Sequence, residues 1–89
     1  MITDIDKKAI QQIATKYHVK RVVLFGSSLA PDRESRDIDL GVEGVDERGF
    51  FSFYGDLICT LSKPVDVIDL SVRSRFVDLI NREVIPLYA

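Results

Sequence analysis

Residues 19–27 of the chain read VKRVVLFGS, and residues 37–40 read DIDL. The first segment is rich in β-branched and aromatic residues as far as Gly26, which is typical of a buried strand that ends in a glycine turn. The second segment alternates acidic and apolar residues, the pattern of a strand with one wet face. Together they predict a sheet whose polar side chains gather where the first strand ends.

The rest of the chain reads as helices and strands around these two segments. A threonine followed by an acid predicts a helix start at the amino terminus, and a lysine–proline pair ends a later helix. The predicted elements are a helix over 3–17, strands over 19–25 and 37–43, a helix over 50–61, a strand over 65–70 and a helix over 76–84, with Pro86 closing the ordered part. This order, α-β-β-α-β-α, predicts one α/β (α+β) domain over residues 1–89. We expect a small mixed sheet of about three to four strands, with helices mainly on one face.

Composition narrows the class of protein. Apolar residues make up 46% of the 89 residues and charged residues 29%, which excludes a disordered chain. The net charge of −2 and the lack of a basic patch argue against duplex nucleic acid as a partner. The single cysteine, Cys59, is expected to be buried and cannot form a disulfide within the chain. With no signal peptide or membrane span in the sequence, a cytoplasmic protein is expected.

Gly26 and Ser27 form the first candidate for chemistry. Glycine lets backbone N–H groups approach an oxyanion, and the serine hydroxyl adds a donor, so this turn could form an anion-binding nest. An ordinary strand-ending turn is the alternative, and the pair by itself does not decide between them.

Acidic residues form the second candidate. Asp37 and Asp39 point the same way from a strand, and their repulsion is relieved if a cation lies between them. Hard oxygen ligands of this kind suit magnesium, although an acidic solvent-facing strand would look the same. Asp66 and Asp69 have opposite parity on the next strand. We expect Asp66 to face the site and Asp69 to cap the following helix.

The combination of Leu24-Phe25-Gly26-Ser27, Asp37-Ile38-Asp39-Leu40 and Val65-Asp66-Val67 resembles the signature of the DNA polymerase β-like nucleotidyltransferase superfamily. Within it, the chain resembles the minimal nucleotidyltransferases that are paired with HEPN-domain proteins, over nearly its whole length. The resemblance implies a mixed sheet in which Asp37, Asp39 and Asp66 cluster as catalytic, metal-binding residues for Mg²⁺ or Mn²⁺. It also implies that Gly26 and Ser27 hold a nucleoside triphosphate. Ser28 and Arg36 depart from the family's usual pattern.

The resemblance implies transfer of a nucleotide, AMP from ATP, to an acceptor hydroxyl on a HEPN-type partner, as the antitoxin of a toxin–antitoxin pair. Two alternatives stay open: a non-catalytic antitoxin-like binding subunit, and a transferase that acts on a small molecule.

Phe50 and Phe51 have the spacing of core residues, whereas Phe53 and Tyr54 cannot both face inward. One of the latter two is therefore expected at the surface, where exposed aromatic residues are typical of protein interfaces. His18, at the predicted helix end, is expected to interact with the helix dipole.

Overall fold

The helices and strands follow the predicted order, with one strand added. The computed structural model describes residues 2–26 and 36–89. In these residues the elements are α1 (Asp4–Lys16), β1 (Arg21–Leu24), β2 (Ile38–Glu43), α2 (Glu47–Thr60), β3 (Val65–Asp69), α3 (Arg75–Arg82) and β4 (Ile85–Tyr88). Each helix begins at a side-chain cap, because Thr3, Asp46 and Ser74 each accept a hydrogen bond from a backbone N–H of the first turn.

The sheet is mixed, as predicted. Its strands lie in the order β3-β2-β1-β4 across the described residues. β1 is antiparallel to both β2 and β4, whereas β2 and β3 are parallel because α2 connects them as a crossover. Successive residues of each strand point to opposite faces of the sheet.

Two apolar clusters cover the two faces of the sheet. The larger cluster joins α1 and α2 to the sheet and contains Ile10, Ile13, Ala14, Phe53 and Leu57, together with Val22, Leu24, Ile38, Leu40, Val42, Val65 and Val67. The smaller cluster joins α3 to the opposite face through Val23, Leu70, Val77 and Ile80. Two of the three helices in the described part thus share one face, which confirms the predicted arrangement. No helix in residues 2–26 and 36–89 is long and apolar enough to cross a membrane.

The fourth strand corrects the prediction that Pro86 closes the ordered part of the chain. Residues Ile85–Tyr88 pair with β1, although a proline lies among them. Proline is tolerated there because β4 is an edge strand, where a missing backbone N–H need not break a ladder on both sides. A four-residue strand with an internal proline has too weak a pattern to be predicted from sequence.

The aromatic residues of α2 are arranged differently from the prediction. Phe53 is fully buried and packs edge-to-face on Tyr17, whereas Phe51 is 73% exposed. Tyr54 is half-buried, and its hydroxyl donates to the backbone carbonyl of Val65 at 3.1 Å. At roughly 100° per residue, Phe51 lies about 200° around the helix from Phe53, so both cannot enter the core. The exposed aromatic residue of α2 is therefore Phe51, and the expectation for Phe53 or Tyr54 was wrong.

Cys59 is exposed rather than buried. The buried residues of this segment include Leu57 and Leu61, which are one helical turn apart. Cys59 lies between them in sequence and therefore points away from the core. Apolar neighbours in sequence therefore did not predict the environment of this thiol.

A buried carboxylate connects α1 to the loop after α2. Asp6 is only 3% exposed, and its two oxygens accept from the backbone N–H of Ser62 at 3.2 Å and from the Ser62 hydroxyl at 2.5 Å. The acid of the first helical turn thus serves a tertiary contact, which keeps α1 against the α2–β3 connection.

We expect Asp6→Ala to lower the free energy of unfolding by about 1.5–3 kcal/mol, because it removes a buried carboxylate that accepts two hydrogen bonds from Ser62. Urea denaturation measures the change. Asp4→Ala removes an exposed acid from the same turn and should cost about 0.5 kcal/mol through the helix dipole. Equal losses in the two variants would show that Asp6 contributes only its charge.

Candidate active site

The turn after β1 lies directly against one of the predicted acids. The backbone N–H of Phe25 donates to the carbonyl of Asp39 at 3.0 Å, and the chain then turns at Gly26 with φ of +67°. A Cβ placed on Gly26 would lie 2.7 Å from Oδ2 of Asp39, closer than side-chain carbons approach other atoms. Only glycine therefore allows both this backbone conformation and this contact. The glycine turn and the Asp39 carboxylate form one site.

A second carboxylate lies beside the first on the neighbouring strand. Asp39 of β2 and Asp66 of β3 are register partners in the parallel pair. Neighbouring strands lie about 4.8 Å apart, and partner residues project from the same face of the sheet. Asp39 is half-buried and Asp66 is exposed, so the pair is accessible from solvent.

Asp37 lies one residue before β2 and two residues before Asp39, and it is exposed. Ile38 and Leu40 enter the core under α1 and α2, so the alternation directs the odd-numbered acids to the other face, the one that carries α3. Asp66 shares that face, because Val65 and Val67 on either side of it are in the same core as Ile38. The parity predicted for Asp66 is confirmed.

The prediction that Asp69 caps the following helix was wrong. Its carboxylate accepts from the backbone N–H of Ser71 at 2.9 Å and thus stabilises the turn after β3. The cap of α3 is Ser74, whose hydroxyl accepts from the backbone N–H of Val77 at 3.1 Å. Ser74 immediately precedes the helix, which is the position from which a side chain can reach the first free N–H groups.

The carboxylates of Asp37, Asp39 and Asp66 lie on one face of the sheet but do not converge on a single point. Within residues 2–26 and 36–89, no three aspartate, glutamate, histidine or cysteine side chains converge into a metal-binding group. Magnesium is usually held by one or two carboxylates, with water and substrate phosphates as its other ligands. The adjacent pair Asp39 and Asp66, with Asp37 on the same face, is an oxygen-donor set of that kind. Metal binding by Asp37, Asp39 and Asp66 stays a prediction, and Ser27 lies outside the described residues.

A cavity that the sequence did not predict opens beside the glycine turn. It has a volume of about 270 Å³ and lies between the end of β1 and α3, lined by Phe25, Gly26, Phe76, Leu79, Ile80 and Glu83. Phe76 and Leu79 are 57% and 58% exposed, whereas Val77 and Ile80 are buried against the sheet. Four apolar residues within five positions of α3 are more than one helix face can bury, and this excess was the available sequence signal.

The ion pairs with perturbed pKa values lie away from this site. Arg21 and Lys20 hold the pKa of the Glu43 carboxyl below its usual range, at the end of β1 that is remote from Gly26. Lys16 and Tyr17 likewise lower the pKa of Asp56 and connect α1 to α2. His18 is exposed with φ of 54°, in the left-handed conformation that often ends a helix, and lies before β1 rather than after it. These groups support the fold around the site.

Solved structures of toxin–antitoxin complexes contain chains with this fold. One complex with AMP-PNP matches with a TM-score of 0.75 and 20% identity, over 93% of this chain and 73% of the matched chain. A complex of MntA with HepT matches with a TM-score of 0.73 and 18% identity, over 98% and 73% of the two chains. The tri-AMPylated HEPN toxin of Shewanella oneidensis in complex with MNT antitoxin gives 0.75 and 19%, over 99% and 73%.

These similarities show that the chain has the nucleotidyltransferase fold of the MntA antitoxins. A further MntA complex, with a TM-score of 0.74, carries glutamate in place of two aspartates that are separated by one residue. No protein-family model matches the chain, and no curated protein is detectably similar to it in sequence.

Proposed function

We propose that this domain is a metal-dependent nucleotidyltransferase that transfers AMP from ATP to a hydroxyl group of a HEPN-type partner protein, as the antitoxin of a toxin–antitoxin pair. The observation that carries the proposal is the contact between Gly26 and the Asp39 carboxylate, with Asp66 beside Asp39 on the next strand. It joins a turn suited to phosphate with carboxylates suited to a cation, and nucleotidyl transfer needs both.

Each residue of the site has a distinct part in the proposal. Gly26 and Ser27 bind the triphosphate, since a turn with φ of +67° can direct backbone N–H groups at phosphate oxygens. Asp37 and Asp39 would hold Mg²⁺ or Mn²⁺, which would neutralise phosphate charge. The acceptor oxygen bonds to the α-phosphorus in line as the bond from that phosphorus to the β-phosphate oxygen breaks, and pyrophosphate leaves. Asp66 faces the acceptor hydroxyl and favours its deprotonation. Few other groups are needed, because phosphoryl chemistry depends mainly on positioning and electrostatics.

The nucleotide and the partner are supported by the proteins that share the fold. One structural neighbour is a complex with AMP-PNP, a close analogue of ATP, and another contains a HEPN toxin that is tri-AMPylated. The pair of aspartates replaced in a third complex has the same one-residue separation as Asp37 and Asp39. We therefore propose ATP as donor and a HEPN-type protein as acceptor.

The test is a labelling reaction with the full chain and a HEPN-type protein. With Mg²⁺ and ATP labelled on the α-phosphate, we expect the label on the partner, most of it on tyrosine. Asp37→Asn should abolish labelling, because it removes a proposed metal ligand from an exposed position without disturbing the core. Gel autoradiography and mass spectrometry of the partner measure the outcome.

Two outcomes would contradict the proposal in different ways. Stable binding of the partner without labelling, equal in the wild type and Asp37→Asn, would indicate a non-catalytic antitoxin-like subunit. The absence of both binding and labelling would contradict the HEPN-type partner and return the question to small-molecule acceptors. Asp69→Asn is the matched control, because Asp69 lies three positions beyond Asp66 and contacts the turn at Ser71.

A further inference from the structure

The cavity between the end of β1 and α3 has more apolar surface than the fold needs. Phe76 and Leu79 lie one helical turn apart on α3 and are more than half exposed. The core contacts of α3 are already supplied by Val77 and Ile80. Phe76 and Leu79 therefore add nothing to the buried cluster, although together they form one wall of the cavity.

The opposite wall of the cavity belongs to the glycine turn. Phe25 and Gly26 line it, and Gly26 is also the residue in contact with the Asp39 carboxylate. A ligand that places its phosphates on this turn has the apolar cavity on one side and the carboxylates on the other. The cavity is thus continuous with the site described above, on the face of the sheet that carries α3.

We propose that this cavity binds the base of the nucleotide whose phosphates lie at Gly26, with the ring of Phe76 as its stacking surface. The inference rests on the proposed function and extends it by naming the base subsite. A nucleotide joins a flat aromatic group to an anionic chain, and the site offers an aromatic, apolar cavity next to a phosphate turn. Stacking on an aromatic side chain tolerates every base, because each has a π face.

Charge argues that the cavity takes the base and not the phosphates. Glu83 is the charged residue among those that line it. A carboxylate repels phosphate but accepts hydrogen bonds from base N–H groups, so it favours an uncharged donor-bearing ring. The volume of about 270 Å³ falls just below the range usual for whole ligands, which suits a subsite that holds only part of one.

The experiment compares two ligands that differ in the base. Binding of ATP and of inorganic tripolyphosphate, each with Mg²⁺, is measured by isothermal titration calorimetry with the wild type, Phe76→Ala and Phe76→Leu. We expect Phe76→Ala to weaken ATP binding roughly 10-fold and to leave tripolyphosphate binding unchanged, because only ATP has a ring to stack. Phe76→Leu keeps the apolar surface and should lose less. Exposure of Phe76 predicts that both variants fold, which circular dichroism checks.

Phe51→Ala is the matched control, since Phe51 is an exposed phenylalanine on α2, across the sheet from α3. It should change the affinity for neither ligand. Equal loss of both ligands in Phe76→Ala, or unchanged ATP binding, would overturn the base subsite. Unchanged ATP binding with loss of partner binding would make the cavity wall a protein-docking surface instead. If the wild type binds neither ligand, the proposed function itself fails, which separates the two results.

Discussion

Asp39→Asn is expected to reduce nucleotide transfer by at least ~100-fold while the chain stays folded. Asparagine keeps the size of the side chain and the contact with Gly26, but it removes the charge that the proposed cation requires. Loss of one preorganised electrostatic group at a reacting phosphate typically costs ~100-fold to ~1000-fold in rate. Asp39 is the half-buried acid of the three, so solvent compensates least for its loss. Transfer of labelled AMP to the partner measures the rate.

The same variant should lose the stabilisation that ligand binding provides. A ligand at ~100 times its Kd stabilises the folded state by about 2.7 kcal/mol, so Mg²⁺ with ATP should raise the Tm of the wild type. Asp39→Asn should show no such rise, as measured by differential scanning fluorimetry. Asp69→Asn should behave as the wild type, because an amide oxygen can still accept from the Ser71 N–H. An equal rise in the wild type and Asp39→Asn would remove Asp39 from the cation site.

The positions of the acids could be predicted because a strand has a period of two. Once Ile38 and Leu40 were assigned to the core, Asp37 and Asp39 had to share the other face. For the next strand, the opposite parity of Asp66 and Asp69 allowed only one of them on that face, and the structure places Asp66 there, since the valines on both sides of it are buried. The register between strands was not available from sequence, because pairing depends on tertiary packing. Only the structure places Asp39 directly beside Asp66.

The contact between Gly26 and Asp39 shows a different limit. The sequence predicted the turn and the acid separately, and the spacing resembled a known signature, but nothing in the pattern states a distance. The close approach results from the antiparallel pairing of β1 with β2, which continues through the bond from Phe25 to Asp39. Besides its positive φ, Gly26 must be a glycine because of a close approach that only the partner strand supplies.

Elements near the end of the chain were the least predictable. β4 has only four residues and contains Pro86, so its sequence shows no strand periodicity. The proline is tolerated because β4 lies at the edge of the sheet. The apolar residues of α3 predicted a helix but not which of them are buried: Val77 and Ile80 are, whereas Phe76 and Leu79 are exposed. For Phe51, apolar character was mistaken for burial. Large exposed apolar side chains beside a polar site often mark a ligand or partner surface.

Gly26→Ala is expected to lower the rate of transfer roughly 100-fold with a much smaller effect on folding. The left-handed conformation at φ of +67° costs an L-residue about 1–2 kcal/mol. The new methyl group would also stand 2.7 Å from Oδ2 of Asp39. That oxygen is the end of a flexible side chain, so the carboxylate moves aside and the core is kept. A displacement of about 1 Å in a catalytic group can cost ~100-fold, which is why function suffers more than stability.

Gly55→Ala is the matched control, because a Cβ on Gly55 meets no atom within 4 Å and the residue lies inside α2. Alanine is the better helix former by about 0.8–1 kcal/mol, so this variant should raise the free energy of unfolding and leave transfer unchanged. Urea denaturation and the labelling assay together separate the two glycines. If Gly26→Ala lowers the free energy of unfolding by several kcal/mol, the Asp39 side chain cannot move aside, and Gly26 is needed mainly for folding. If Gly26→Ala keeps full transfer, the Asp39 carboxylate works equally well when displaced, and its position against the turn has no part in catalysis.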